Sequence, residues 1–225
     1  MPSYDALANK KRELIRKALT GSVFVAPLAS DPVAELTEKT GVAPNEVIDL
    51  VALPTGYDDV GWLSTEGAAF AREVAQSEVA SWGSNTPTRT DITADSTSLT
   101  FLMQETKLLS IGLATGADLS AIVPDVDTGE VSIEKPETPD AKSYRTLSVA
   151  VDKSNAGDIY VARFLPAAKV TNYTEQAFGA GDDPIGWGVT VTGEKDSTLG
   201  YTERWIFGGA GWFALLADMG FDVTP

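Results

Sequence analysis

The chain of 225 residues contains no cysteine and no histidine. The first absence excludes a disulfide framework, a Cys/His zinc site and a cysteine nucleophile. The second removes every Ser-His or Cys-His catalytic pair, and with it the side chain best suited to proton transfer near neutral pH. No run approaches the roughly 20 apolar residues needed to cross a bilayer; the richest apolar window, Gly208 to Phe221, is short and glycine-rich. A secretory leader would have to use Lys10 to Lys17 as its basic region and Ala18 to Ser30 as its apolar stretch. That stretch is broken by Thr20, Gly21, Ser22 and Pro27. Phosphate-binding loops are missing too. Gly179-Ala180-Gly181 and Gly208-Gly209-Ala210-Gly211 do not have dinucleotide spacing, and no Gly-Lys-Ser/Thr sequence occurs. Asp125-Val126-Asp127-Thr128-Gly129-Glu130 begins like a calcium loop. It lacks a third oxygen ligand before the glycine and a closing glutamate, and reads as an acidic surface turn. A protein that is not an enzyme and has no cofactor, no metal and no membrane partner is the expectation.

What is present is an acidic chain with enough apolar content to fold. Hydrophobic residues make up 43%, which places it among globular rather than disordered sequences. The length suits one substantial core. The net charge of −15 is unevenly spread: residues 1–20 carry Lys10, Lys11, Arg12, Arg16 and Lys17 against Asp5 and Glu13, a balance of +3, and the remainder carries −18. Such a body repels nucleic acid rather than binding it, because duplex DNA is itself a dense line of negative charge.

Local patterns divide the chain into a basic N-terminal amphipathic helix, residues 1–20, and a single β-rich domain, residues 21–225. Ser3 or Asp5 can cap the helix; Leu7, Leu14, Ile15, Ala18 and Leu19 share a face, and Gly21 ends it. Val23 to Pro27 reads as a strand. Asp31-Pro32 is a cap followed by proline at a first helical position and predicts a short helix to about Thr40. Glu46 to Leu53 fits strand or helix. From about residue 57 the pattern turns to β. Leu99, Phe101 and Met103 alternate with polar residues, a helix is expected over Lys107 to Thr115, and Val131-Ser132-Ile133 is a short strand within a loop running from Ala117 to about Asp140. Leu147, Val149 and Val151 alternate; Ser154-Asn155-Ala156-Gly157 is a hairpin turn leading to Ile159–Leu165; Trp187, Val189 and Val191 alternate; and Tyr201, Glu203, Trp205 and Phe207 close the series. Six to eight strands with one inserted helix predict a mainly β fold, a sandwich or partial barrel.

The stretch from Gly61 to Gly116 carries a further signal. It reads Gly61-Trp62-Leu63-Ser64-Thr65-Glu66-Gly67, then Glu78-Val79-Ala80-Ser81-Trp82-Gly83, then Thr88-Arg89-Thr90-Asp91-Ile92, then Thr100-Phe101-Leu102-Met103-Gln104-Glu105-Thr106 before the helix. This order resembles the major tail, or tail-tube, proteins of long-tailed (siphovirus-type) bacteriophages, over roughly residues 20–215. The alanines at 68, 69, 71, 75 and 80 favour helix across 67–81, whereas the resemblance makes that segment a strand.

What the resemblance implies is a structural virion protein with a tail-tube-like fold. Its copies form hexameric rings whose strands close a continuous inner barrel, and the rings stack into a tube around a tape-measure protein. DNA passes through without specific binding. Tail terminator and baseplate or distal tail proteins are the implied partners. The virion tail is the implied location, with assembly in the host cytoplasm. Contacts between copies are expected at Lys10, Lys11, Arg12, Arg16 and Lys17, at Trp82, Arg89 and Asp91 around a loop from Ser84 to Asp95, and at Asp125, Asp127 and Glu130 in the Ala117–Asp140 loop.

Other classes compete. A tail terminator or head-decoration subunit would also form symmetric β-rich oligomers. Trp62, Trp82, Trp187, Trp205 and Trp212 could stack on sugars in a carbohydrate-binding adhesin. Asp182 or Asp183 with Glu203 could form the carboxylate pair of a hydrolase.

Overall fold

A computed structural model describes residues 4–42, 46–135, 137, 142–181 and 183–222. The elements in chain order are α1 (Tyr4–Leu7), β1 (Thr20–Pro27), β2 (Thr37–Thr40), β3 (Val47–Leu50), β4 (Asp58–Asp59), β5 (Leu63–Val79), β6 (Arg89–Met103), α2 (Leu108–Thr115), β7 (Ser143–Ser154), β8 (Gly157–Tyr173), β9 (Trp187–Glu194), β10 (Arg204–Gly208), α3 (Ala210–Phe213) and α4 (Leu216–Met219). The fold is mainly β and antiparallel. One eight-stranded sheet runs β4-β1-β7-β8-β9-β6-β5, with β10 also paired to β8, and β2-β3 form a separate hairpin.

The long strand β8 organises the sheet because it changes partners along its length. Tyr160 to Phe164 face β10, whereas Ala167 to Tyr173 face β9. Pro166 lies at the switch, where the register against β7 slips between Tyr144 and Thr146. Proline has no N–H to give a ladder, so a bulge is where a strand tolerates it, and a bulge bends the strand. Arg145 secures the bend, donating to the Pro166 and Ser30 carbonyls at 2.9 and 2.7 Å.

The two faces of the sheet carry two apolar clusters. The first gathers Val23, Val25, Val60, Leu99, Phe101, Met103, Leu113, Leu165, Val189 and Val191 beneath α2. The second joins Leu147, Val149, Ala162 and Phe164 to Val33 and Leu36 of the segment after β1. Alternation along β1 sends Val23 and Val25 to the first and Phe24 to the second. The Gly61 turn lets Trp62 N–H donate to Glu105 Oε1 at 2.7 Å. Gly61 has φ +92° and the Glu105 carboxylate fills the space a Cβ would need, so two features of the tail-tube-like pattern meet here.

Several expectations are met: the Val23 strand, the strand character of 67–81, the helix after Lys107, the turn at Ser154–Gly157 and the alternating strands. Others need correction. The N-terminal helix is reduced to Tyr4–Leu7, followed by a 3-10 turn at Arg12–Leu14. Leu7, Ile15 and Leu19 are exposed; a helix of this length is marginal in water without a surface to pack its apolar face on. Leu19 N–H already donates to Val151 O, which draws residues 15–19 into line with β1. The Asp31–Thr40 helix is absent. Val33 and Leu36 are buried from an extended chain, Val33 O accepts from Arg204, and Thr37–Thr40 pair with β3. Glu46–Leu53 resolves as strand at Val47–Leu50. Val131–Ile133 is not a strand; the chain there follows a turn closed by Asp125 N–H to Glu130 O, with no ladder partner among the described residues. Helices α3 and α4 within the Gly208–Phe221 window were not anticipated.

Candidate assembly surface

β5 and β6 pair from Leu63↔Met103 out to Val79↔Arg89. β9 accompanies β6 only from Ser98 to Met103, so beyond that point the two strands continue as a free ribbon. From Ala71 to Val79 and from Arg89 to Asp95 every residue is exposed. At about 3.3 Å per residue the ribbon projects roughly 30 Å from the body. β5 is the last strand of the sheet, and the N-terminal half of β6 has no partner on its other side. Both edges therefore present unpaired backbone groups, the arrangement that invites pairing with another chain. An isolated two-stranded hairpin is marginally stable in water.

The ribbon holds its own shape. Arg72 Nε donates to Asp95 Oδ1 at 2.8 Å at its base. The ladder slips between Ala75 and Gln76, a bulge on the β6 side, and Arg89 pairs with Asp91 at 2.7 Å near the tip. There Thr88 N–H donates to Val79 O at 2.8 Å, and Ser81 and Thr88 hydroxyls share a 2.6 Å hydrogen bond. Trp82 stands wholly in solvent at the tip, and Val74, Val79 and Ile92 are exposed along the shaft. Residues 84–95 are therefore not one loop, because Arg89–Asp95 belong to β6.

At the opposite end of the same hairpin, where β6 leads into α2, a groove of about 920 Å³ is lined by Leu28, Leu108, Leu109, Leu113, Leu119 and Tyr144, with Asp58, Asp59, Lys107 and Lys142 at its rim. Leu108 is exposed on it.

The remaining residues expected at contacts fall into two other places. Lys11 Nζ donates to Asp218 Oδ1 at 2.7 Å, Arg16 lies 3.7 Å from Asp152 Oδ2, and Lys17 N–H donates to the same carboxylate. Lys10 reaches the Tyr4 hydroxyl at 3.5 Å, and Arg12 is exposed. Part of this basic segment is thus paired within its own chain. Asp125, Asp127 and Glu130 sit in an exposed turn. Asp125 Oδ1 caps it, accepting from the N–H groups of Thr128 and Asp127 at 2.8 and 3.0 Å. The Thr128 N–H, with the Thr128 hydroxyl and Asp127 N–H, holds the Asp125 carboxyl below its ordinary range. Among the described residues no hydrogen bond or ion pair joins the ribbon, the basic segment and this turn to one another.

Among the described residues, Glu203 and Asp183 line different depressions and do not form a pair. Glu203 is held by Arg163 and by the Thr97 hydroxyl at 3.1 Å. The Arg163 guanidinium is sandwiched 3.7 Å from the Phe70 ring centre and 4.1 Å from that of Trp205. Asp182 lies outside the described residues. No group of three or more metal-ligating acidic side chains occurs among the described residues, and no helix is long and apolar enough to cross a membrane. The tryptophans do not form one stacking platform: Trp205 joins Phe207, Trp212 and Phe221 in a run of rings with centres 6.2, 4.7 and 6.1 Å apart, whereas Trp62 just precedes β5 and Trp82 lies in the turn between β5 and β6. Sequence reasoning missed this aromatic run and the Arg163 sandwich. The alternation of Trp205 and Phe207 was its only signal.

Residues 8–207 match the family described as phage tail tube protein. No curated protein matches the chain. Among solved structures, the one described as "Crystal structure of Hcp protein" is similar at 9% identity and a TM-score of 0.30, over 84% of this chain and 98% of that one. At that TM-score the likeness bears no weight. The family match spans most of the sequence, and the chain belongs to the phage tail tube protein family. The family is a structural one, not a family of enzymes, and its members are components of the virion tail.

Proposed function

We propose that this tail tube protein polymerises through its β5–β6 ribbon, forming hexameric rings that stack into the conduit for DNA. The observation that carries the reading is a ribbon of roughly 30 Å with two open edges and two open faces, which buries nothing in its own protomer. Covering it requires a neighbour. The curled sheet ends on β5, so strands of adjacent copies can continue one another around a ring and remove the free edge altogether. Six copies per ring is what the resemblance to siphovirus tail-tube proteins supplies.

Stacking calls for a contact between unlike surfaces, since only a head-to-tail interface propagates along an axis. The Trp82 tip and the α2 groove meet that requirement, because β6 spans 15 residues, roughly 50 Å, between them. A ring placed on another can set its tips into the grooves of the next. A tape-measure protein inside the tube, and terminator and distal tail proteins at its ends, complete the assembly, which forms in the host cytoplasm.

The charge fits passage of DNA. A net −15 per copy, repeated around a lumen, denies phosphates the counterion-releasing contacts that would hold them. Negative-stain microscopy of the purified protein tests the reading. Hollow tubes or stacked rings are expected. Small closed rings that do not stack would favour a terminator, and monomers at every concentration would overturn self-assembly.

A further inference from the structure

Alternation along β6 sorts its side chains into two unlike sets. Leu99, Phe101 and Met103 enter the first apolar cluster, whereas Ser96, Ser98, Thr100 and Leu102 fall on the other face. The strand register carries that second set across four strands. Ala71, Ser98, Thr192 and Lys169 form one row, and Ala69, Thr100, Thr190 and Asn172 form the next. Hydroxyls on this face bond to one another, Thr100 to Thr190 at 2.8 Å and Thr171 to Thr192 at 2.7 Å. Over β1 and β7 the same face is covered, because Phe24, Leu147 and Val149 pack against Val33 and Leu36. Over Ala69, Ala71 and Thr100 there is no such layer among the described residues, and all three are exposed. The ribbon keeps the distinction beyond the body. On its core side Val74 and Ile92 continue the line of Phe70 and Leu99 and are 41% and 66% exposed. On its other side stand Ala75, Ser77 and Ala94, with Val79 only at the tip. The two cations that alternation places on this second face are each held by a carboxylate, Lys169 by Glu194 at 2.9 Å and Arg89 by Asp91 at 2.7 Å.

The geometry points to this hydroxyl-rich face of β5, β6, β9 and the end of β8 as the wall of the tube's lumen, the surface that DNA meets. This rests on the tube reading above. A neighbour that covered this face would have to bury its serine and threonine hydroxyls, which costs free energy wherever one is left without a partner. Covering the Val74 and Ile92 side of the ribbon removes apolar surface from water instead. Assembly therefore takes the apolar side and leaves the hydroxyl side wet. Proteins hold DNA through cations that displace its counterions, and both cations on this face are already closed into ion pairs. At contact the duplex meets hydroxyls, methyl groups and neutral pairs, with Glu73 adding an unbalanced carboxylate on the same side. Glu194 and Asp91 thus mask Lys169 and Arg89 along the path of the DNA.

Because the chain has no cysteine, a single introduced thiol reports on one position. Ala71→Cys and Ser98→Cys lie in one row of the wall, and Val74→Cys lies on the apolar side of the ribbon. Each variant is treated, as free protein and as tubes, with a small maleimide and with a maleimide coupled to a dextran too wide to enter the lumen. In tubes, Ala71→Cys and Ser98→Cys should be labelled by the small reagent and not by the dextran, and Val74→Cys by neither. Labelling of the first two variants by both reagents puts this face on the outside of the tube. Labelling by neither puts it in a contact between copies. Either result overturns the lumen wall and leaves the tube reading standing. If one of the two substitutions prevents assembly, the other gives the answer; loss of assembly in both also overturns the proposal, since a wall that meets only water and DNA tolerates a thiol. Failure of the unsubstituted protein to form any tube contradicts the tube reading, and the lumen wall with it.

Discussion

Arg72 and Asp95 face each other diagonally across β5 and β6 at the point where the hairpin leaves the body, Nε to Oδ1 at 2.8 Å. Inward of this pair, Phe70 and Leu99 belong to the first apolar cluster; outward, nothing lies beneath the ladder. The guanidinium is held in its charged form first by its hydrogen bond to Asp95, and the Asp95 carboxyl is lowered first by the same contact. Both groups are solvated, so the pair adds little to the stability of the fold. It stands where the ribbon leaves the body, the position from which it would aim the ribbon in assembly.

Arg72→Ala is therefore expected to leave the thermal midpoint nearly unchanged while raising the concentration needed for assembly. Parallel melting curves and sedimentation measurements separate the two effects. A large loss of thermal stability would show that the pair supports the core instead.

Trp82→Ala and Leu108→Asp are expected to leave the monomer intact, since both side chains are exposed in it. If the tip enters the groove, each should weaken stacking. Loss of an aromatic anchor at an interface costs about 2 kcal/mol or more, roughly 30-fold in an association constant. Sedimentation of each variant gives the constant, and stacking at the wild-type level would place Trp82 outside the interface.

Acid should loosen the body before it loosens the apolar clusters. Asp196 accepts the backbone N–H groups of Leu199 and Thr198 at 2.9 and 2.8 Å and bonds Arg145 at 3.2 Å. The Leu199 N–H, then that of Thr198, then Arg145 hold its carboxyl below the ordinary aspartate range. A carboxyl lowered in the folded state stabilises at pH values above its unfolded pKa, about 3.9, and that stabilisation is lost as pH falls through the folded value. Melting temperature should be flat from neutral pH to about 5 and drop below about 4. Asp196→Asn should melt lower at neutral pH and show a shallower acid limb. An unchanged acid limb would remove Asp196 from the account.

At the alkaline end, burial pushes the Tyr57 phenol up to about 12, and its hydroxyl donates to Asp31 O at 3.2 Å. A group whose folded pKa is raised stabilises fully below its unfolded value, about 10, and that stabilisation is lost as pH rises toward 12. Tyrosinate absorbance should show a late-titrating phenol, removed by Tyr57→Phe together with part of the alkaline instability. Titration of every tyrosine near the free value would contradict this.

Much of the body could be read from local pattern, because its strands are amphipathic and buried on the faces their alternation predicts; Leu99, Phe101 and Met103 are the clearest case. Segments decided by distant partners could not. Asp31-Pro32 has the cap chemistry of a helix, yet Arg204, far along the chain, accepts no helix there: it takes the Val33 carbonyl in an extended segment. The N-terminal residues have helical periodicity, but Leu7 and Ile15 find nothing to pack against. The alanines of β5 favour helix, and pairing with β6 overrides them. The exposed ribbon was the least legible feature. Val74 and Ile92 within an alternating strand suggest a half-buried face, and only the end of β9 pairing at Ser98 reveals that no layer covers them.

Amide hydrogen exchange across residues 71–95, compared between free and assembled protein, tests the central claim most directly. The account predicts rapid exchange on the open edge of β5 in the free chain and strong protection once tubes form, with β7 and β8 little changed. Equal exchange of the ribbon in both states would contradict it.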